Sequence, residues 1–346
     1  MRRHLLPARE TARSAAAPLL RLLALVLALG VAGCPKTDQS LVLVGGSPVS
    51  AAVIDADPLA VLPGGALLLG RLDAAVMFRS GVGSQVGEIA SNLLPLGPES
   101  NFVPSRDVRR LWGAIYAMQG ADFCAVLEGS FDAMAIQAAA ERRAQTPSGL
   151  PIVRTAYAGN DMYTVSNLGF VLLTEHTILS GNETAMRRAL ERLRRGNLER
   201  VLPPWMLELL GPEQAAFALA GDLSSQAAVE ATAQQLPFLG GLRLVRVLGN
   251  FRPPGANVVG TLGYADEQAA AAGAQGLRSV QQLGYIVSLI SSFGLGGQMP
   301  PMTVAQKGQD VAFAAEIDAS ALSLLTSMAA QATRPAATAG RPWYGR

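Results

Sequence analysis

Histidine is almost missing from this chain of 346 residues: there are two, His4 and His176. Cysteine is as scarce, with Cys34 and Cys124 alone. Sites built from several imidazoles or several thiolates, including the usual zinc sites, are therefore excluded. So is a disulfide framework, which needs more than one pair. Aromatic residues make up 5%, leaving few rings for stacking on bases or sugars. Charged residues are also sparse at 16%, against 50% hydrophobic. That balance excludes a disordered chain, whose few apolar groups could not offset the entropy of ordering.

A marked excess of one sign of charge is missing from most of the length. The formal net charge is +2, but residues 1–34 hold five arginines against Glu10, a balance of +4 that leaves −2 for the remainder. A nucleic-acid partner would require a basic face on that remainder, and its overall charge supplies none. Long hydrophobic runs are missing too. The apolar stretch Leu22–Val31 would make a helix of roughly 15 Å, short of the ~30 Å hydrocarbon core. Leu283–Leu295, the most apolar later segment, has thirteen residues and reads as a buried helix.

What is present is concentrated at the N-terminus. An arginine-rich head, the apolar core Leu22–Val31 and the small residues Ala32-Gly33 before Cys34 are the parts of an export signal. Val31-Ala32-Gly33-Cys34 resembles the lipobox of bacterial lipoproteins, with Val in place of the usual Leu at its first position. The resemblance covers only these first residues. It implies cleavage before Cys34, a diacylglyceryl group on the Cys34 sulfur and acylation of the new amine. Each buried methylene adds ~0.8 kcal/mol of membrane affinity, so two or three chains hold a protein firmly. Pro35 and Lys36 follow, without the Asp that in this family favours the inner membrane; the resemblance points to the outer one.

Five segments are expected: a signal at 1–33, a lipidated tether at 34–57, two α+β halves at 58–201 and 202–330, and a loose tail at 331–346. The evidence for two halves is a recurring pattern, an apolar strand-like run, an Asp or Asn, then an Ala/Leu-rich helical run. It occurs at Asp73, Asp132, Asn182, Asp222, Asp266 and Asp318. Asp and Asn at such junctions suit helix N-caps, where a side-chain oxygen accepts an orphan backbone N–H. The first three junctions and the last three are separated by 149, 134 and 136 residues, close to one offset. The fold expected is α+β, with two similar halves, each a mostly antiparallel sheet with helices on one face in a split-βαβ-like arrangement.

Candidate chemistry is thin. His176, in Thr174-Glu175-His176-Thr177, reads as a solvated hairpin tip, because no GxSxG elbow names a serine to pair with it. The glycine-rich segments Gly81–Gly87 and Gly294–Gly297 match neither dinucleotide nor phosphate fingerprints. Residues 186–200 form a basic helix, with Glu183–Arg187 and Glu191–Arg195 at i,i+4 spacing and Met186, Ala189, Leu190 and Leu193 as its apolar stripe. Its arginines could meet anionic headgroups or an acidic polymer, or form a solvated face. No catalytic residue, metal or cofactor is expected.

The reading is a membrane-anchored envelope lipoprotein with a non-enzymatic binding or scaffolding role, its partner a protein or polymer and no nucleic acid. A carrier of lipid or another apolar ligand is the second reading, and a carboxylate-dependent hydrolase the third. Replacing Cys34 with Ser should move the protein from the membrane to the soluble fraction after cell lysis. Unchanged partition would defeat the anchor.

Overall fold

The computed structural model describes residues 49–80, 83, 98–117, 122–143, 145–146, 150–165, 167–211, 215–225, 239–252, 255–291 and 302–317, with backbone alone from 280 to 291. Helices are α1 (Ala51–Ala56), α2 (Ala74–Arg79), α3 (Pro104–Asp107), α4 (Ala133–Arg142), α5 (Glu183–Arg194), α6 (Pro204–Leu210) and α7 (Glu267–Ser291). Strands in the first part of the chain are β1 (Leu68–Asp73), β2 (Val108–Ala117), β3 (Asp122–Gly129), β4 (Ile152–Tyr157), β5 (Asn160–Val165), β6 (Leu168–Leu172) and β7 (Thr177–Asn182). Then come β8 (Phe217–Asp222), β9 (Leu242–Arg252), β10 (Gly255–Tyr264), β11 (Met302–Lys307) and β12 (Asp310–Ile317).

All twelve strands join one antiparallel sheet, ordered β11-β12-β10-β9-β8-β1-β2-β3-β7-β6-β5-β4. The sheets expected in the two parts of the chain run into each other through the β1–β8 pair, where Gly70 faces Leu219 and Leu68 faces Gly221. Hairpin loops follow their residues. The two-residue turn between β4 and β5 places Ala158 and Gly159 at φ 51 and 79, a left-handed geometry that a glycine accepts without strain.

Helices cover both faces, which corrects the expectation of one. The alternation of side chains along a strand explains why. In β3, Val126 points to one face and Leu127 to the other; in β7, Leu179 and Ile178 divide in the same way. Val126, Leu179, Val171 and Met162 form a core with Ala185, Met186, Ala189 and Leu190 of α5 and Met206 and Leu210 of α6. Leu127, Ile178, Phe170 and Tyr163 pack on the opposite side with Ile136 and Ala140 of α4 and Ala74 of α2. Further along that second face, Val245, Leu262 and Val311 pack with Ala270 and Ala274 of α7. The two sides are called here the α5 face and the α7 face. Strands with apolar groups on both sides read as near-continuous hydrophobic runs, as in Phe123–Leu127, rather than alternating ones.

The expected tether ends earlier than residue 57. Residues 51–56 form α1, Ile54 is buried, and a 3-10 turn at Pro58–Val61 sinks Leu59, Val61 and Leu62 into the α5-face core. An apolar residue every three or four positions in this short stretch holds it against the sheet. The apolar stripe of the basic helix, in contrast, matches its reading, with Met186, Ala189, Leu190 and Leu193 all buried, but the helix spans Glu183–Arg194 and the chain leaves it at Arg195, short of the expected residue 200. Leu190 is fully enclosed, so Leu190→Ala should lower unfolding stability by about 2–5 kcal/mol, the usual range for a buried leucine. A urea midpoint within error of the parent would contradict this packing.

Candidate functional site

The junction acids are mostly spent on structure. Asp73 accepts from the Val76 N–H at 2.9 Å, Asp132 from Ala135 at 3.0 Å and Asp266 from Ala269 at 2.7 Å, each capping the helix that follows. Asn182 departs from the expectation. Its Oδ1 accepts from the Phe123 N–H at 2.9 Å, across to the neighbouring strand, and α5 starts without a side-chain cap. Asp222 takes the Ser224 N–H and hydroxyl in a local turn. Asp318, Cys34, the two glycine-rich fingerprint segments as wholes and the tail 331–346 lie outside the described residues, as do the side chains of 283–295.

His176 stands exposed at the β6–β7 turn, its Nδ1 3.1 Å from the Gly129 carbonyl. Glu128, the residue before Gly129 on β3, pairs across to Thr177. Glu128 is buried and accepts from Arg109 at 2.9 Å, Arg110 at 3.3 Å and the Trp112 indole at 3.1 Å. A buried carboxylate needs such partners to remain charged. Asp55 of α1 accepts from both Thr174 and Thr177 hydroxyls, at 2.5 and 2.7 Å. Asp55 and Glu128 thus meet at Thr177, with both Glu128 oxygens and one Asp55 oxygen occupied by donors that tie β2, β3, α1 and the β6–β7 turn together. Among the described residues no three His, Cys, Asp or Glu side chains gather as metal ligands.

The arginines of α5 also have internal partners. Arg187 pairs with Glu183 at 2.7 Å and lies over the Tyr157 ring; Arg188 reaches Asp122 at 2.5 Å and lies over Tyr116. Arg192 donates to the carbonyls of Leu62 and Glu199, and burial lowers its pKa. Arg194 and Arg195 share Glu191. Beyond the helix, Arg200 grips Asp57 through two nitrogens at 2.8–3.0 Å. Arg192 and Arg200 thereby clasp the segment 57–62 against the body.

The feature most suited to a ligand is apolar and lies on the α7 face. A hollow of about 290 Å³ is lined by Leu68, Gly70, Gly113, Ile115, Phe123, Ala125 and Leu219. Strand register explains its shape. Gly70 sits beside Gly113, and Gly113 beside Ala125, so three neighbouring strands present almost no side chain along one row. The row Leu68–Ile115–Phe123 stands on one side of it and Leu72–Leu111–Leu127 on the other. At about 4.8 Å per strand the bare floor runs about 10 Å across the sheet. It falls between the helix-covered core under α4 and that under α7.

Two glycines elsewhere in the sheet are filled from above: the Phe217 ring covers Gly249 and the Phe313 ring covers Gly260. Among the described residues, a Cβ built on Gly70 would come no closer than 3.7 Å to any atom, and one on Gly113 no closer than 3.8 Å. Nothing in the local sequence announces this pair, because the two glycines are 43 positions apart and meet only through register.

No protein-family model matches the chain, nor does any curated protein sequence. The fold is similar to the solved structure of TP0453 in its crystal form III, at 15% identity and a TM-score of 0.50, covering 78% of this chain and 98% of that one. Crystal form I of TP0453 gives 15% identity, 79% and 97% coverage, and a TM-score of 0.49. At this identity the likeness concerns fold alone. Among the described residues no helix is long and apolar enough to cross a membrane.

Beneath the hollow, on the α5 face, Cys124 is fully buried, and burial pushes its thiol up to about 12. Burial thus both shields the sulfur and suppresses the thiolate that would react. Ellman's reagent at pH 8 should therefore leave Cys124 untouched in the folded protein and titrate it after guanidinium unfolding. Rapid reaction of the folded form would contradict the packing.

Proposed function

We propose that this protein is a lipid-anchored envelope protein that binds an apolar chain in the hollow at the centre of its sheet. Of the three readings open to the sequence, a carrier of an apolar ligand has the best geometric support. The observation that carries it is the Gly70–Gly113 pair, a side-chain-free floor with apolar walls. The volume of about 290 Å³ is near the lower end of ligand sites, which run from about 300 to 1,000 Å³. It suits a narrow chain better than a fused ring system. No side chain in its lining carries a charge, so recognition would rest on removing apolar surface from water, about 25 cal/mol per Å².

We further propose that the two parts of the chain are copies of one unit joined at β1 and β8. Outward from that seam the order is β1-β2-β3-β7-β6 on one side and β8-β9-β10-β12-β11 on the other. In each, a helix on the α7 face follows the third strand, α4 after β3 and α7 after β10. The hairpin β4–β5 is extra to the first copy. The anchor on Cys34 rests on the lipobox resemblance and would hold the hollow within reach of a bilayer.

Filling the floor tests the binding site without disturbing the fold. A Cβ built on Gly113 meets, among the described residues, Leu111 alone and at ordinary contact distance, and valine favours strands over glycine by up to about 1 kcal/mol. The variant should keep or raise its urea midpoint while losing binding of a fluorescent fatty-acid probe at least tenfold. Undiminished probe binding in a stably folded variant would remove the hollow as the site.

A further inference from the structure

The registers of the two parts of the sheet can be laid over each other strand by strand. Gly113 lies between Gly70 and Ala125, and Val247 lies between Leu219 and Gly260. Carried outward on the α5 face, Cys124, Val126 and Leu179 fall on Val259, Thr261 and Ala312, and Val171 of β6 falls on Ala305 of β11. The first set is 0% exposed at every position, in the core beneath α5. In the second set Val259 is 51% exposed, Ala312 and Ala305 are exposed, and Thr261 is half-buried. Among the described residues, α6 covers β8 and reaches β9, where the Arg246 guanidinium lies over the Trp205 ring. No described helix covers β10, β12 and β11 on this side, since α7 packs on the other.

The chain supplies an occupant at the right place. β7 passes into α5 at Asn182; β12, its counterpart in the sheet, ends at Ile317 and is followed by Asp318 and then residues 319–333, which carry no charge. At the 136-residue offset of those two junctions, the α5 stripe Ala185, Met186, Ala189, Leu190 and Leu193 becomes Ala321, Leu322, Leu325, Thr326 and Ala329. Ser320, Ser323, Ser327 and Gln331 recur three or four positions apart, which puts them together on another face of a helix. At 1.5 Å per residue such a helix is about 22 Å long, enough to pass over three strands at about 4.8 Å apiece. A second copy or a bilayer has to be brought to this face, whereas residues 319–333 start at its edge. Their high effective concentration there populates even weak apolar contacts.

We propose that residues 319–333 form a helix that docks on the open side of β10 and β12, burying Val259 as α5 buries Cys124 and Val126. Docking pins the end of the chain to the sheet on the face opposite the hollow. The proposal draws on the matching registers of the two faces, and is independent of the lipid anchor and of what the hollow binds.

The test uses the full chain carrying Cys34→Ser, in which the buried Cys124 is the one native thiol. Val259→Cys in this background should react with a water-soluble maleimide at least tenfold more slowly than in the same chain ended after Ile317. A second measurement needs only the full chain, in case the shortened one does not fold. Nitroxide labels on Lys307→Cys, at the exposed side of β11, and on Ser327→Cys should broaden each other's spectra. Labels on Met134→Cys, beyond the sheet on α4, and on Ser327→Cys should not. Equal maleimide rates in two folded chains, or no broadening between 307 and 327, would overturn the proposal. So would broadening that vanishes when the labelled protein is mixed with excess unlabelled protein, because the face would then belong to a second copy.

Discussion

The strict alternation of side chains along the central strands is the constraint from which the rest of the molecule follows. Neighbouring residues Val126 and Leu127 cannot share a core, because a strand sends them to opposite sides. Both are apolar, as are their neighbours Ile178 and Leu179 on β7, so each side of the sheet requires its own cover. α5 and α6 supply it on one face, α2, α4 and α7 on the other. The β1–β8 pair then makes one wide sheet of what would otherwise have two bare edges in the middle of the chain. Unpaired edges are open to association with other strands, and pairing them inside the molecule removes that hazard.

Local signals in the sequence describe the parts of this arrangement that are set locally. Asp73, Asp132 and Asp266 cap helices because the hydrogen bond spans three residues and needs nothing from elsewhere. The α5 stripe and its i,i+4 ion pairs are legible for the same reason. Asn182 has the same local context, yet its side chain is claimed by the Phe123 backbone on an adjacent strand, a competitor invisible without the fold. Residues 51–57 read as the end of a tether because the segment from 35 to 57 shows no clear period; they are held by distant groups, Thr174 and Thr177 on Asp55 and Arg200 on Asp57. Helices on both faces were hidden by the habit of antiparallel sheets to leave one side wet. The floor of the hollow was hidden most completely, since it exists only where the register of β1 and β2 brings two unremarkable glycines side by side.

Those two glycines also carry a thermodynamic argument. Glycine in a strand interior is destabilising by roughly 0.5–1 kcal/mol relative to alanine. At Gly249 and Gly260 the loss is offset by aromatic rings packed into the space. At Gly70 and Gly113 no aromatic ring is packed in among the described residues; Leu219 and Leu111 come only to 3.7 and 3.8 Å of where a Cβ would lie, so a small side chain would fit at either position. A sheet optimised for stability alone would place a valine there. In the proposed reading the vacancy is completed by a ligand's methylenes, which gain about 0.8 kcal/mol each on leaving water. A bilayer offers the same gain, so exchange of an apolar chain between the two is close to balanced in free energy. In that reading a shallow, uncharged site favours carriage over tight storage, and the proposed anchor, of limited reach, would keep both ends of that exchange within one short distance.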